Sequence, residues 1–226
     1  MNYFMYFSYF ALLFCFTMCF IHFFRLIKLG APKDLSEARG SISAGVAYSN
    51  TGAMLPNRKE SAYMHLPTFT AGVIFHTGTF LALFCFLLLF FDAVWGFFFR
   101  HALLSFFVAL YLGFGVSCGI GLLIKRLISK KLRPISNLDD YISVSLTTVF
   151  QFVTALLFIR FSFYEYFSSA VHSGVLCVYF LAAALLFFYL PFGKLRHLVY
   201  YFAARYHLGF FYGRRGTWPP EKTDNL

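Results

Sequence analysis

The chain alternates between long apolar runs and short polar segments. A bilayer crossing needs about 20 apolar residues, and five stretches reach that length: Tyr3 to Phe24, Leu66 to Phe91, Ala102 to Ile124, Tyr141 to Phe161 and Ala170 to Leu190. The runs are continuous, without the two-residue alternation of a membrane β-barrel. The pattern predicts an all-α membrane protein of five transmembrane helices. The first run lacks a basic leader and is followed by Arg25 and Lys28, so it reads as a retained span, not a secretory signal.

Composition agrees with the pattern. Of 226 residues, 60% are hydrophobic and only 12% charged, with 34 Phe and 15 Tyr. A water-soluble domain of this size could not cover so much apolar surface. The net charge of +10 would point to nucleic acid in a soluble protein. Here 17 of the 19 basic residues fall in the segments before span two, between spans three and four, and after span five. That one-sided distribution is topology, not nucleic-acid binding. By the positive-inside rule the N-terminus is outside and the C-terminus cytoplasmic.

Residues 1–197 then form one five-helix membrane domain. It has a cytoplasmic loop of about 30–63, expected to be an ordered cap or docking loop. Residues 198–226 form a basic, aromatic cytoplasmic tail, expected either to lie at the inner headgroups or to dock a cytoplasmic subunit. The five cysteines, Cys15, Cys19, Cys85, Cys118 and Cys177, lie inside apolar runs without CxxC spacing, and read as packing residues. GFGVSCGIG, Gly113 to Gly121, follows no strand and lies inside a span. It reads as close helix packing through small residues, not a nucleotide loop.

The candidate chemistry lies in the histidines. His65 and His76 are eleven residues apart and fall within about 20° on one helix face, with Gly72 and Thr79 on the same stripe. Small residues there leave room for a flat macrocycle. His172 and His197 also return to within about 20° of phase, although Pro191 lies between them. Spans two and five run in opposite directions, so His65 pairs in depth with His197 on the inner side, and His76 with His172 on the outer side. Two axial imidazoles per iron are the ligation of an electron-transferring b-type haem. Depth fits less well, because 25 residues cover roughly 37 Å if fully helical against roughly 16 Å for eleven. His207 is a substitute for His197. His22 and His101, near span ends, read as solvated. The competing reading of all four ligand candidates is hydrogen-bonded packing.

The stretch KESAYMHLPTFTAGVIFHTGTF resembles the helix-two signature of the nitrate reductase gamma-subunit family of membrane cytochromes b. LPFGKLRH, Leu190 to His197, resembles that family's last-helix ending, and ISNLDDY, Ile135 to Tyr141, its entry to helix four. The cytoplasmic loop looks closer to the family's sulfate-reducer branch. The resemblance implies two haem b groups, on His65/His197 and His76/His172. It implies a quinone site beside the outer haem, with menaquinone or menaquinol as substrate, and a cytoplasmic Fe–S subunit. Other membrane subunits and periplasmic multihaem cytochrome c subunits would complete a respiratory complex in a bacterial inner membrane. The chain would be an electron-transfer subunit of a quinone-linked oxidoreductase. Polar residues placed near that quinone site are Thr77, Thr79, Ser173, Arg100, His101 and Glu165. Lys194, Arg196 and Arg205 are candidates to neutralise haem propionates, or ordinary inner-face anchors. The alternative function is a haem-free membrane anchor of a larger complex.

Overall fold

The computed structural model describes residues 2–30, 33–58, 62, 64–91, 96–98, 100–163 and 169–220, without the side chains of 2 and 169–172. The described residues contain helices and no strand. The long helices are α1 (Asn2–Lys28), α3 (Leu66–Leu88), α4 (Ala102–Ile128), α5 (Leu138–Ser162) and α6 (Ser169–Tyr189). They overlay the five expected spans. By length and composition α1, α3, α4 and α5 can each cross a membrane. The 21 residues of α6 carry no charged side chain, and their rise of about 31 Å matches the hydrocarbon thickness. The described residues are thus all-helical, with four to five long apolar helices compatible with a membrane protein. Two further helices, α2 (Ile42–Asn50) and α7 (His197–Arg214), lie outside those spans.

The chain divides into two compact units. The first comprises Met1–Phe16 and Pro67–Leu195. In it α5 packs along α4 and α6. Lipid gives apolar helices no hydrophobic reason to associate, so shape, aromatic contacts and interhelical hydrogen bonds must hold them. Phe86 of α3 meets Tyr179 and Phe187 of α6 at 5.9 and 5.0 Å between ring centroids, and Tyr179 stacks on Phe150 of α5 at 6.0 Å. Such pairs are worth about 0.5–1.5 kcal/mol each beyond the area they bury. Glycines set the α4 interface as expected. A Cβ at Gly119 would lie 2.4 Å from Thr148 Oγ1, whereas Gly113 and Gly121 face open space.

At its basic end, α5 begins in a capping box: Asn137 Oδ1 accepts from the Asp140 amide, and the Asp140 carboxylate from the Asn137 amide, both at 3.0 Å. The same carboxylate holds Lys194 at 2.5 Å and Arg126 at 3.3 Å. One buried acid thereby ties the entry of α5 to the last turn of α4 and to the segment after α6.

The second unit comprises Thr17–Leu66 and Arg196–Leu226. The expected loop and the expected tail are therefore one folded body. Its core is α2 lying on α7, backbone against backbone. A Cβ at Gly45 would sit 2.4 Å from Gly213 Cα and 2.5 Å from the Gly209 carbonyl. Ser41, Gly45 and Ser49 form a small-residue stripe at four-residue spacing, and Gly209 and Gly213 answer it. The Ser49 hydroxyl donates to the Arg205 carbonyl at 2.7 Å, and Arg205 Nε donates back to the Ser49 carbonyl at 2.7 Å.

Candidate functional site

His76 lies in mid-helix on α3, exposed to the surroundings of the bundle. Its Nδ1 is 2.7 Å from the Gly72 carbonyl oxygen. A carbonyl can only accept, so Nδ1 carries the proton; in the neutral form of the ring the lone pair then lies on Nε2. This tautomer, with one nitrogen anchored to a backbone carbonyl, is what an imidazole needs to ligate a metal. Gly72, one turn away, has open space where a Cβ would be. The residues around His76 thus fit an axial ligand.

The partner expected for it is His172 of α6. Gln151 of α5 donates from Nε2 to the Phe75 carbonyl at 3.1 Å and to Thr79 Oγ1 at 2.7 Å, which sets His76 at the level of Gln151. Phe150, its neighbour in sequence, packs between Tyr179 and Phe187 of α6. His172 precedes those two residues by seven and fifteen positions, so its backbone lies roughly 10–22 Å along α6 from that level. The side chain of His172 lies outside the described atoms.

His65 and His197, the expected inner pair, both belong to the second unit and are both exposed. His65 stands in the turn before α3, and His197 opens α7. His22 departs from expectation. It is 8% exposed, with Nδ1 3.2 Å from the Tyr200 hydroxyl, so it is a packed, bonded residue and not a solvated one. His101 caps the start of α4 with its ring 4.4 Å from Phe97. His207 is exposed on α7. No group of three or more His, Cys, Asp or Glu that could hold a metal ion occurs among the described residues.

The described quinone candidates have partners of their own or are exposed. Thr77 Oγ1 lies 2.6 Å from the Tyr111 hydroxyl. Thr79 is taken by Gln151 and by the Phe75 carbonyl. Arg100 Nε donates to Gly96 O at 3.1 Å. Ser173 is exposed, and Glu165 lies outside the described residues. Two of the three candidate propionate partners are engaged elsewhere: Lys194 on Asp140 and Arg205 on the Ser49 carbonyl. Arg196 is exposed, 6.0 Å over the Tyr200 ring.

One polar feature was not foreseen. Asp140, Ser143, Thr147, Gln151 and Thr154 form a stripe along α5 at helical spacing, all buried. The hydroxyls satisfy themselves on their own helix, as Ser143 does on Asp139 O (2.6 Å), Thr147 on Ser143 O (2.7 Å) and Thr154 on Phe150 O (2.6 Å). Gln151 reaches across instead. Its Oε1 is buried with no hydrogen-bond partner among the described residues, and it fills the space that side chains at Gly78 and Gly115 would take, 2.7 and 2.2 Å from their Cβ positions. A lone amide within an apolar run was the available signal.

Comparison with family models, with curated proteins and with solved structures finds no match for the chain.

Proposed function

We propose that this chain is a haem-bearing, multi-pass subunit of a respiratory redox complex in a bacterial inner membrane. It carries electrons between a quinone on the outer side, menaquinol or menaquinone, and an Fe–S subunit on the cytoplasmic side. Periplasmic multihaem cytochromes c complete the assembly. The N-terminus faces outward, since the basic segments mark the cytoplasmic side. The observation that carries the reading is His76: an imidazole inside a membrane span, its Nδ1 donating to the Gly72 carbonyl, with a lone pair left on Nε2. An imidazole in lipid is costly and marks function. The resemblance of residues 59–80 to a cytochrome b helix supplies the ligand identity. A b-type haem held there would supply one-electron redox chemistry.

In this reading His65 and His197 hold the inner haem and His76 the outer one, with His172 the least supported of the four. The engagement of Lys194 on Asp140 and of Arg205 on the Ser49 carbonyl favours a second reading, a haem-free anchor subunit. Haem content per chain separates the two. His76→Ala is expected to lose one of two haems, measured as pyridine haemochrome on protein purified in detergent. If His76→Ala keeps the wild-type content, the assignment of His76 fails; a colourless wild-type protein supports the anchor.

A further inference from the structure

The second unit is built inside out for a body in water. On α7 the described arginines turn toward the unit. Arg205 bonds the Ser49 carbonyl through both Nε and Nη2. Arg214 Nε donates to the Ser36 carbonyl at 2.9 Å, and Arg215 pairs with Asp34 at 2.7 Å while lying 3.6 Å over the Phe211 ring. The large apolar side chains do the reverse: Leu198, Phe202, Tyr206, Leu208, Phe211 and Tyr212 are all exposed, Phe202 by 67%. In water the stable arrangement puts guanidinium groups out and rings in. The pairing with α2 follows membrane rules too, with glycines letting two backbones touch and arginine satisfying a carbonyl at the contact. The partner helix comes from an 18-residue stretch, 40–57, with no charged side chain. Basic residues stand at the ends of both segments: Arg39 and Arg58 flank that stretch, and Arg196, Arg214 and Arg215 flank α7.

We propose that the α2–α7 pair is embedded in the leaflet on the basic side of the membrane, with the exposed rings of α7 against lipid acyl chains. It is then neither a cytoplasmic tail nor a protein-docking surface. Nine residues of α2 rise about 13 Å, less than half the hydrocarbon thickness, so α2 enters one leaflet and does not cross. Of the flanking arginines, Arg196 is exposed and free to reach the headgroups, while Arg214 and Arg215 are held by Ser36 and Asp34.

Collision accessibility of a spin label separates lipid, water and protein as the surroundings of α7. The label is placed at Phe202→Cys, Leu208→Cys and Phe211→Cys in the full chain, with the five native cysteines replaced, in liposomes of phosphatidylethanolamine and phosphatidylglycerol. Phe107→Cys on α4 is the lipid reference, and Leu35→Cys the aqueous one. The expected result at all three sites is high collision with oxygen and low collision with a water-soluble nickel chelate, as at Phe107→Cys. Nickel accessibility equal to that at Leu35→Cys overturns the proposal, and so does low accessibility to both probes, which marks a protein contact. Should the cysteine-free chain not fold, the unmodified protein is photolabelled with a diazirine on the lipid acyl chain. Labelled peptides within 198–212 support the embedding, and labelling confined to α1 and α3–α6 refutes it.

Discussion

The two units hold themselves together by opposite means. In the first, large side chains fill the space between helices: Phe86, Phe150, Tyr179 and Phe187 interlock, and Gln151 bridges α5 to α3. In the second, side chains are removed so that backbones touch, at Gly45, Gly209 and Gly213. Both satisfy the same constraint, that apolar surface alone does not drive helices together in lipid. Interlocked rings tolerate a single change by partial relaxation. A backbone contact has nothing to relax into.

The sharpest way to break this contrast is Gly45→Leu. Its Cβ would lie 2.4 Å from Gly213 Cα, so α2 must leave α7, at a cost of about 3 kcal/mol or more. Hydrogen exchange in the amides of 42–50 should accelerate. Gly113→Ala is the control: with open space around it it should leave exchange unchanged and favour its helix by up to about 1 kcal/mol. If both glycines behave alike, the backbone-contact account of the second unit is wrong.

Gln151→Leu probes the first unit and is expected to cost about 1–2 kcal/mol. It removes one interhelical amide with two donated bonds, and such bonds in membranes are individually modest. The readout is the midpoint of unfolding in detergent. A loss as large as that from Gly45→Leu would show that polar bridging, not ring packing, dominates the bundle.

The smallest effect concerns the margin of the second unit. The Ser36 amide and hydroxyl, then Arg215, hold the Asp34 carboxyl down at about 2 from an ordinary 3.8. A carboxyl depressed on folding stabilises above its unfolded value and loses that contribution as pH falls through its folded one. The 34–36 contact with Arg214 and Arg215 should therefore hold at pH 5 and loosen between about pH 4 and 2. Pepsin cleavage near residues 34–36 reports it, and Asp34→Asn should remove the pH dependence.

Much of the first unit could be read from residue order alone. The runs gave the spans within a few residues, and GFGVSCGIG announced a glycine interface that Gly115 and Gly119 fulfil, whereas the Asn137–Asp140 capping box that starts α5 went unread. Local patterns sufficed because each span is decided by its own composition. The second unit was opaque for the opposite reason. Ser49 and Arg205 are 156 positions apart, and neither the loop nor the tail shows its partner in its own periodicity. The four-residue spacing of Ser41, Gly45 and Ser49, answered by Gly209 and Gly213, was the one usable clue. The histidines fall between these cases. Phase on a single helix was computable, and His76 and Gly72 do adjoin. Relative height across helices depends on packing, as does the burial of His22, which its place near a span end did not announce.

The most direct test of the electron-transfer account is the visible spectrum of the wild-type chain purified from a haem-producing host, before and after dithionite. The account predicts reduced b-type bands with two haems per chain by pyridine haemochrome. A folded, monodisperse protein with no absorption above the aromatic region would contradict it.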